Sequence, residues 1–260
     1  MSSTDTSPAK PVDLDAQIEQ MNEAARWLEE RSSDTEPHES GTFRLPPTVV
    51  PRARRNYALK RVFDFFVALI AIILLSPLLA IVALIVWLDS KGPSLFKQER
   101  IGQNGKPFKV LKFRSMRTDS NDAVHRAAIE KFMQGQQIGD ENNAYKLQRD
   151  PRITRVGGFI RASSIDELPQ LFNILKGEMS LVGPRPALRY EVEQYRYRHR
   201  YRLLVTPGLT GIWQVYGRSK VDFETLVSMD LHYVTDGSIW LDLKLIVLTF
   251  GVVFKRSGGK

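Results

Sequence analysis

The sequence predicts an α+β protein anchored by a membrane-inserted helix, and three observations carry that prediction. Val67 to Leu88 is a run of 22 residues without a charge. Short alternating stretches follow, around Ser94 to Phe96 and Phe108 to Phe113, punctuated by Gly102, Gly105 and Pro107 as strands are punctuated by turns. Helical segments then intervene between further short apolar runs. With 260 residues, 43% of them hydrophobic and 25% charged, the chain has ordinary globular composition and is long enough for one large domain or two small ones. A wholly disordered polymer is excluded.

Charge divides the chain unevenly. The formal net charge is +8 and the pI about 9.7, which suits a polyanionic partner: nucleic acid, anionic lipid or a phosphate-bearing substrate. Residues 1 to 50 hold ten acids against four bases, a net of −6, so the remainder carries +14. This acidic segment lacks the basic start and early apolar run of a secretory leader, and it is expected to begin in the cytoplasm. We read residues 1–56 as a flexible tail. Leu14, Ile18, Met21, Ala25 and Leu28 set a helical stripe within Asp13 to Arg31, suited to self-association or docking. The absence of cysteine removes disulfides, thiolate nucleophiles and cysteine-based zinc sites, and fits a reducing compartment.

Residues 57–90 form the membrane element. A 22-residue helix is about 33 Å long, enough for a hydrocarbon core of roughly 30 Å. Arg52, Arg54, Arg55, Lys60 and Arg61 precede the run, and Lys91, Lys97, Arg100, Lys106, Lys109 and Lys112 follow it. A spanning helix has one basic flank; here both are basic. Ser76-Pro77 near the middle removes a backbone donor and predicts a kink. Together these features suggest a helix-break-helix hairpin that enters one leaflet and returns, with a spanning helix that tolerates a proline as the alternative.

Residues 91–260 read as a cytoplasmic domain. After the two strands come a short helix at Ala123 to Met133, a helix start within Phe159 to Leu175, a buried run at Leu181-Val182 and a helix over Glu191 to Leu204. Ile239 to Phe254 is apolar but contains Asp242 and Lys244, which suits an interfacial or core helix rather than a span.

Chemistry concentrates at Ser163-Ser164-Ile165-Asp166-Glu167-Leu168-Pro169. Ser164 and Glu167 match a capping box, and acids in a first turn meet the helix dipole favourably, so a structural role is open. A functional one is open too. Arg149, Arg152, Arg155, Arg161, Arg185 and Arg189 surround the two acids in sequence and could hold a polyphosphate while the carboxylates hold a divalent cation. Gly183-Pro184-Arg185-Pro186 restrains an arginine between prolines, and Thr206 to Gly211 followed by Gly217-Arg218-Ser219 is a second turn-rich stretch. Lys112 and Arg114 fall on one face of a strand with Phe113 on the other. Tyr195 to Arg202 interleaves aromatics with arginines, a pattern that could contact bases and phosphates or lie on anionic headgroups; a solvated or membrane-surface helix is the expected state. No P-loop, dinucleotide-binding glycine motif or H-E-x-x-H occurs, and the four histidines are scattered.

From Lys60 to about Phe254 the sequence resembles the bacterial sugar transferases, the monotopic phosphoglycosyltransferases acting on polyprenyl phosphate. Seven segments carry the resemblance in order: Lys60-Arg61-Val62-Phe63-Asp64, Ser76-Pro77, Lys112 to Met116, Asp150-Pro151-Arg152-Ile153-Thr154, Asp166 to Gln170, Gly183 to Pro186 and Pro207 to Gly211. The resemblance implies a re-entrant hairpin broken at Ser76 and Pro77. It also implies transfer of a hexose 1-phosphate from a UDP-sugar to undecaprenyl phosphate with release of UMP, the first membrane step of an exopolysaccharide, capsule or O-antigen type glycan. Asp166 would then be the nucleophile, giving a phosphosugar-aspartate intermediate, and Glu167 would help ligate Mg²⁺. Lys112, Arg161, Arg185 and Arg218 match positive positions expected around the phosphates. With Arg114 beside Lys112, and Asp230 and Asp242 as later acids, they complete the candidate substrate-binding set. The implied place is the cytoplasmic face of the bacterial inner membrane, with lipid and both substrates as partners, no nucleic acid, and a homodimer left open. The competing reading is a non-enzymatic module binding nucleic acid or anionic lipid through Tyr195 to Arg202. Hydrolysis by the paired acids fits less well, because adjacent side chains cannot flank a glycosidic bond at about 5 to 9.5 Å.

Overall fold

The computed structural model describes residues 57–117, 123–136, 152–217 and 221–258. The stripe of Asp13 to Arg31, Arg149 and Arg218 lie outside them. The chain is mixed α and β, opening with one 33-residue helix, α1 (Tyr57–Asp89).

The expected break at Ser76-Pro77 is absent, since α1 runs through both residues. Proline lacks the N–H that would meet the carbonyl of Ile73, four residues back. Ser76 Oγ donates to that same carbonyl at 2.8 Å, so no acceptor is orphaned.

Each half of α1 is tied to the rest of the chain. In the first half Arg61 donates to the carbonyls of Ile174 and Leu175 (2.7 and 2.6 Å), closing the C-terminal end of α4 (Gln170–Lys176). Asp64 accepts from the backbone N–H of Leu181 at 3.2 Å. In the second half Val82 and Val86 pack with Phe113 and Ile160, Ser94 Oγ donates to the Ala83 carbonyl (2.6 Å), and Arg114 donates to those of Val86 and Ser90 (3.2 and 2.6 Å). The opposite face stays bare: Ile70, Ile73, Leu74, Ile81 and Leu84 are exposed, Leu74 by 72%.

The two predicted strands form an antiparallel hairpin, β1 (Leu95–Ile101) with β2 (Pro107–Phe113), in register from Leu95 opposite Phe113 to Ile101 opposite Pro107. The free edge of β2 is satisfied by a side chain. Buried Asn173 accepts from the Leu111 N–H (3.0 Å) and donates to the Lys109 carbonyl (2.8 Å), doing for β2 what a third strand would do.

Helices α2 (Ala123–Met133) and α3 (Arg155–Ala162) come before α4, and a parallel pair, β3 (Ser180–Val182) with β4 (Gly208–Thr210), follows it. The predicted helix over Glu191 to Leu204 is instead divided into α5 (Arg189–Glu193), α6 (Tyr197–Arg200) and a 3-10 turn, Tyr201–Leu204. Extended backbone at Arg196 interrupts it, and Tyr195, His199, Tyr201 and Arg202 turn inward. The tyrosine-arginine run is therefore neither a solvated nor a membrane-surface helix. Helices α7 (Phe223–Asp236) and α8 (Ile239–Gly258) complete the fold. The core gathers Ile174, Met179, Val182, Leu204, Met229 and Leu245. On α8, Leu245 and Asp242 face inward while Trp240, Val247 and Phe250 are exposed. Both α1 and α8 thus show apolar surface.

Candidate active site

The site is built on the continuation of β2. Met116 bridges to Ile153, Thr154 N–H donates to the Ser115 carbonyl (3.2 Å), and Thr154 caps α3 through the Gly157 N–H (2.9 Å). Gly157 is required here: a Cβ on it would lie 2.0 Å from the Ser115 carbonyl oxygen. With α3 seated this closely, the 3-10 turn Ile165–Glu167 that follows it falls beside Lys112 of β2.

Ser164 enters that turn with φ of 59°, a left-handed conformation costing a non-glycine residue ~1 kcal/mol. Its hydroxyl makes no capping bond, so the expected capping box does not form. Glu167 reaches Lys112 Nζ at 2.9 Å instead, in a pair with both partners partly exposed. Asp166 forms no ion pair among the described residues.

The two acids have opposite electrostatics. Desolvation first, and then repulsion from Glu167, push Asp166 up to about 6, although Lys112 and Arg161 pull the other way. Desolvation also raises Glu167, but it is outweighed by the Lys112 ammonium, its direct hydrogen bond, and the guanidiniums of Arg185 and Arg100; the net direction is down. One carboxylate is held ionised and its neighbour is left basic.

Arg185 sits on the loop after β3, where two glycine segments interlock. A Cβ on Gly208 would lie 2.0 Å from the Gly183 nitrogen, so the chains meet backbone to backbone. The Arg185 guanidinium lies 3.4 Å from Glu191 and 5.9 Å from the Trp213 ring centroid. Phe132, Met133, Trp213 and Phe223 line an apolar recess beside it. Arg161, in the last turn of α3, completes the cationic surround of the dyad.

The other candidates go elsewhere. Arg114 lies past the end of β2 and is buried, its guanidinium on the carbonyls of Val86 in α1 and Ser90 just after it; Lys112 and Arg114 do not form a shared cationic face. Asp230 is buried against Arg202, and desolvation outweighs that cation to raise its carboxyl. Asp242 accepts from Lys60 (2.8 Å) and Tyr233 (2.7 Å), and desolvation likewise wins. Neither acid contacts the dyad directly. Sequence reasoning missed Asn173, Glu191 and Trp213. Asn173 left a signal, as a polar residue within the apolar stretch Leu171 to Leu175; Glu191 and Trp213 left none.

The metal implied by the resemblance can be tested against the donor set. No cluster of three or more ligating side chains occurs among the described residues. Mg²⁺ does not need one, because it uses one or two carboxylates together with waters and substrate phosphates. Glu167, partly exposed, with one oxygen on Lys112, fits that requirement.

A sequence profile of the bacterial sugar transferases matches residues 55–256. The UDP-galactose-lipid carrier transferase of Erwinia amylovora is 45% identical over 202 residues, 77% of this chain and 41% of that protein. The UDP-glucose:undecaprenyl-phosphate glucose-1-phosphate transferase of Escherichia coli K12 is 42% identical over 221 residues, 81% of this chain and 43% of that protein. The chain thus spans less than half the length of these two relatives. The exopolysaccharide production protein ExoY of Sinorhizobium fredii is 42% identical over 201 residues, 76% of this chain and 87% of that protein.

Proposed function

The chain belongs to the bacterial sugar transferase family, and on that premise we propose that it transfers a hexose 1-phosphate from a UDP-sugar to undecaprenyl phosphate, releasing UMP. Relatives are named for galactose and for glucose, and the proposal is made for a hexose. The observation that carries it is the split dyad: Asp166 unpaired and basic, beside Glu167 held ionised by Lys112, with Arg161 and Arg185 around them.

Phosphoryl transfer needs an in-line nucleophile and neutralisation of the phosphate oxygens. An Asp166 oxygen attacks the sugar-linked phosphorus, forming a P–O bond to the carboxylate, while the bond to the UMP phosphate breaks and its electron pair leaves with UMP. A phosphate oxygen of the lipid then attacks the same phosphorus and frees the carboxylate. One site so serves a soluble donor and a membrane acceptor in turn, with ping-pong kinetics. Lys112, Arg161 and Arg185 neutralise the diphosphate, and Glu167 would hold Mg²⁺ against it. The cation, when bound, supplies further charge neutralisation at the phosphate oxygens.

We read α1 as monotopic, entering one leaflet with both ends on the cytoplasmic face, the unbroken helix bending at Pro77 rather than being interrupted there. A spanning helix has its ends on opposite sides of a core roughly 30 Å thick. Arg61 and Arg114 attach the two halves of α1 to one domain, which supports ends on the same side. The bare faces of α1 and α8 would meet lipid and hold the dyad near the headgroups. The alternative module has little to stand on, because Tyr195, Tyr201 and Arg202 are buried.

The test is UMP release from UDP-galactose or UDP-glucose with undecaprenyl phosphate and Mg²⁺. Release that depends on the lipid supports the proposal. No release with any common UDP-hexose, together with salt-sensitive DNA or RNA binding, would move the chain to the alternative. Cysteines placed at Arg55 and Lys97 should both be labelled from the cytoplasmic side; labelling on opposite faces would restore a span.

A further inference from the structure

The loop carrying Arg185 is held by its carbonyls, each through a different donor. Pro184 accepts from the Gly208 N–H (2.8 Å), Arg185 from the Arg202 guanidinium (3.3 Å), Pro186 from Arg100 Nη1 (3.0 Å) and Ala187 from the Ile101 N–H (2.9 Å). Two of these donors are buried guanidiniums, and they differ in one respect. Arg202 is charge-paired with Asp230. Arg100, on β1 and only 6% exposed, gives its other hydrogen bonds to the neutral Gln98 Oε1 (3.1 and 2.7 Å) and forms no ion pair among the described residues.

Burying a cation without a carboxylate in contact costs stability, which hydrogen bonds to neutral acceptors only partly offset. Desolvation, and then Arg185, pull Arg100 down to about 10, which leaves it charged at neutral pH; Glu191 and Glu167 offset this only from a distance. The arrangement makes sense if the missing anion arrives from outside. We propose that Arg100 is a positioning residue for the diphosphate of a nucleotide-sugar donor, fixing the loop of Arg185 through Pro186 and adding positive charge behind it. The inference rests on the sugar-phosphate transfer reading. It adds a residue that the family resemblance did not single out.

The experiment compares wild type, Arg100→Gln and Arg100→Lys as full chains in lipid vesicles, reading UMP release, UDP affinity and the thermal midpoint. For Arg100→Gln the expected outcome is about a tenfold or larger loss in kcat/KM for the donor and a similar loss in UDP affinity. The KM for the lipid acceptor should not change, and the thermal midpoint should equal or exceed that of wild type. Arg100→Lys, which keeps the charge without the planar fork, should regain part of the loss. A structural role predicts otherwise: Arg100→Gln would melt earlier, or be unfolded, while Arg100→Lys, folded, would bind UDP and turn over as wild type. That pattern, or wild-type donor kinetics in Arg100→Gln, would overturn the inference and leave the parent reading standing. A wild-type chain that neither releases UMP nor binds UDP would end both.

Discussion

Two kinds of acid-base contact occupy this molecule, and they are built from the same residue types. Asp230 with Arg202, and Asp242 with Lys60 and Tyr233, are buried and charge-paired, and they join elements far apart in sequence. Asp166 and Glu167 share a short turn, partly exposed, and repel each other. In the first arrangement each acid is out of solvent and held by a cation. The second leaves an unpaired carboxylate near Lys112 and Arg161. What separates the two arrangements is therefore pairing and access, not the presence of acids at positions the family resemblance marks.

The largest effect expected on that contrast is at the dyad. Asp166→Asn should lower UMP release by about 10⁴-fold or more while leaving the fold intact. Because the folded state raises the Asp166 pKa, protonation is favoured by folding and the ionised form costs stability at neutral pH. The thermal midpoint of Asp166→Asn should therefore not fall, and a drop in midpoint with activity retained would make Asp166 structural. Asp230→Ala should do the reverse, losing about 3 to 5 kcal/mol in denaturant unfolding by stranding Arg202 without its charge. A normal unfolding curve with lost donor binding would place Asp230 in the site after all.

Smaller effects sharpen the comparison. Lys112→Met removes a half-exposed pair, so stability should change by less than about 1 kcal/mol, while turnover should fall by about 10- to 100-fold as Glu167 loses its cation. The pH-rate profile should be flat above neutrality and fall about tenfold per unit on the acid side, as Asp166 takes up a proton. Read from kcat/KM for the donor, which reports the free enzyme, its midpoint should lie at or below about 6, because a bound cation pulls the value down from there. Ser164→Gly should gain ~1 kcal/mol by relieving the left-handed backbone, with turnover little changed.

Local pattern made part of this legible. The apolar run gave α1, Ala123 to Met133 is helical as expected, and the stretches around Ser94 and Phe108 became β1 and β2. The dyad stood out as adjacent acids near a helix start. What stayed hidden depends on neighbours distant in sequence. Ser164 and Glu167 satisfy a capping box on paper, yet Lys112, 55 residues upstream of Glu167, takes the glutamate. Pro77 announces a break that Ser76 repairs. Tyr195 to Arg202 alternates as an exposed nucleic-acid surface would, but Arg202 finds Asp230, and Tyr195, His199 and Tyr201 fold inward with it. Arg100 gives no local sign, since its meaning lies in a carbonyl 86 residues away.

The central claim is that Asp166 itself carries the phosphosugar. Full-length chain incubated with a UDP-hexose and Mg²⁺ in the absence of lipid, quenched and analysed by peptide mass spectrometry, should show a hexose-phosphate adduct on Asp166 that disappears when undecaprenyl phosphate is added. Lipid-dependent UMP release without any adduct, or an adduct on a residue other than Asp166, would contradict it.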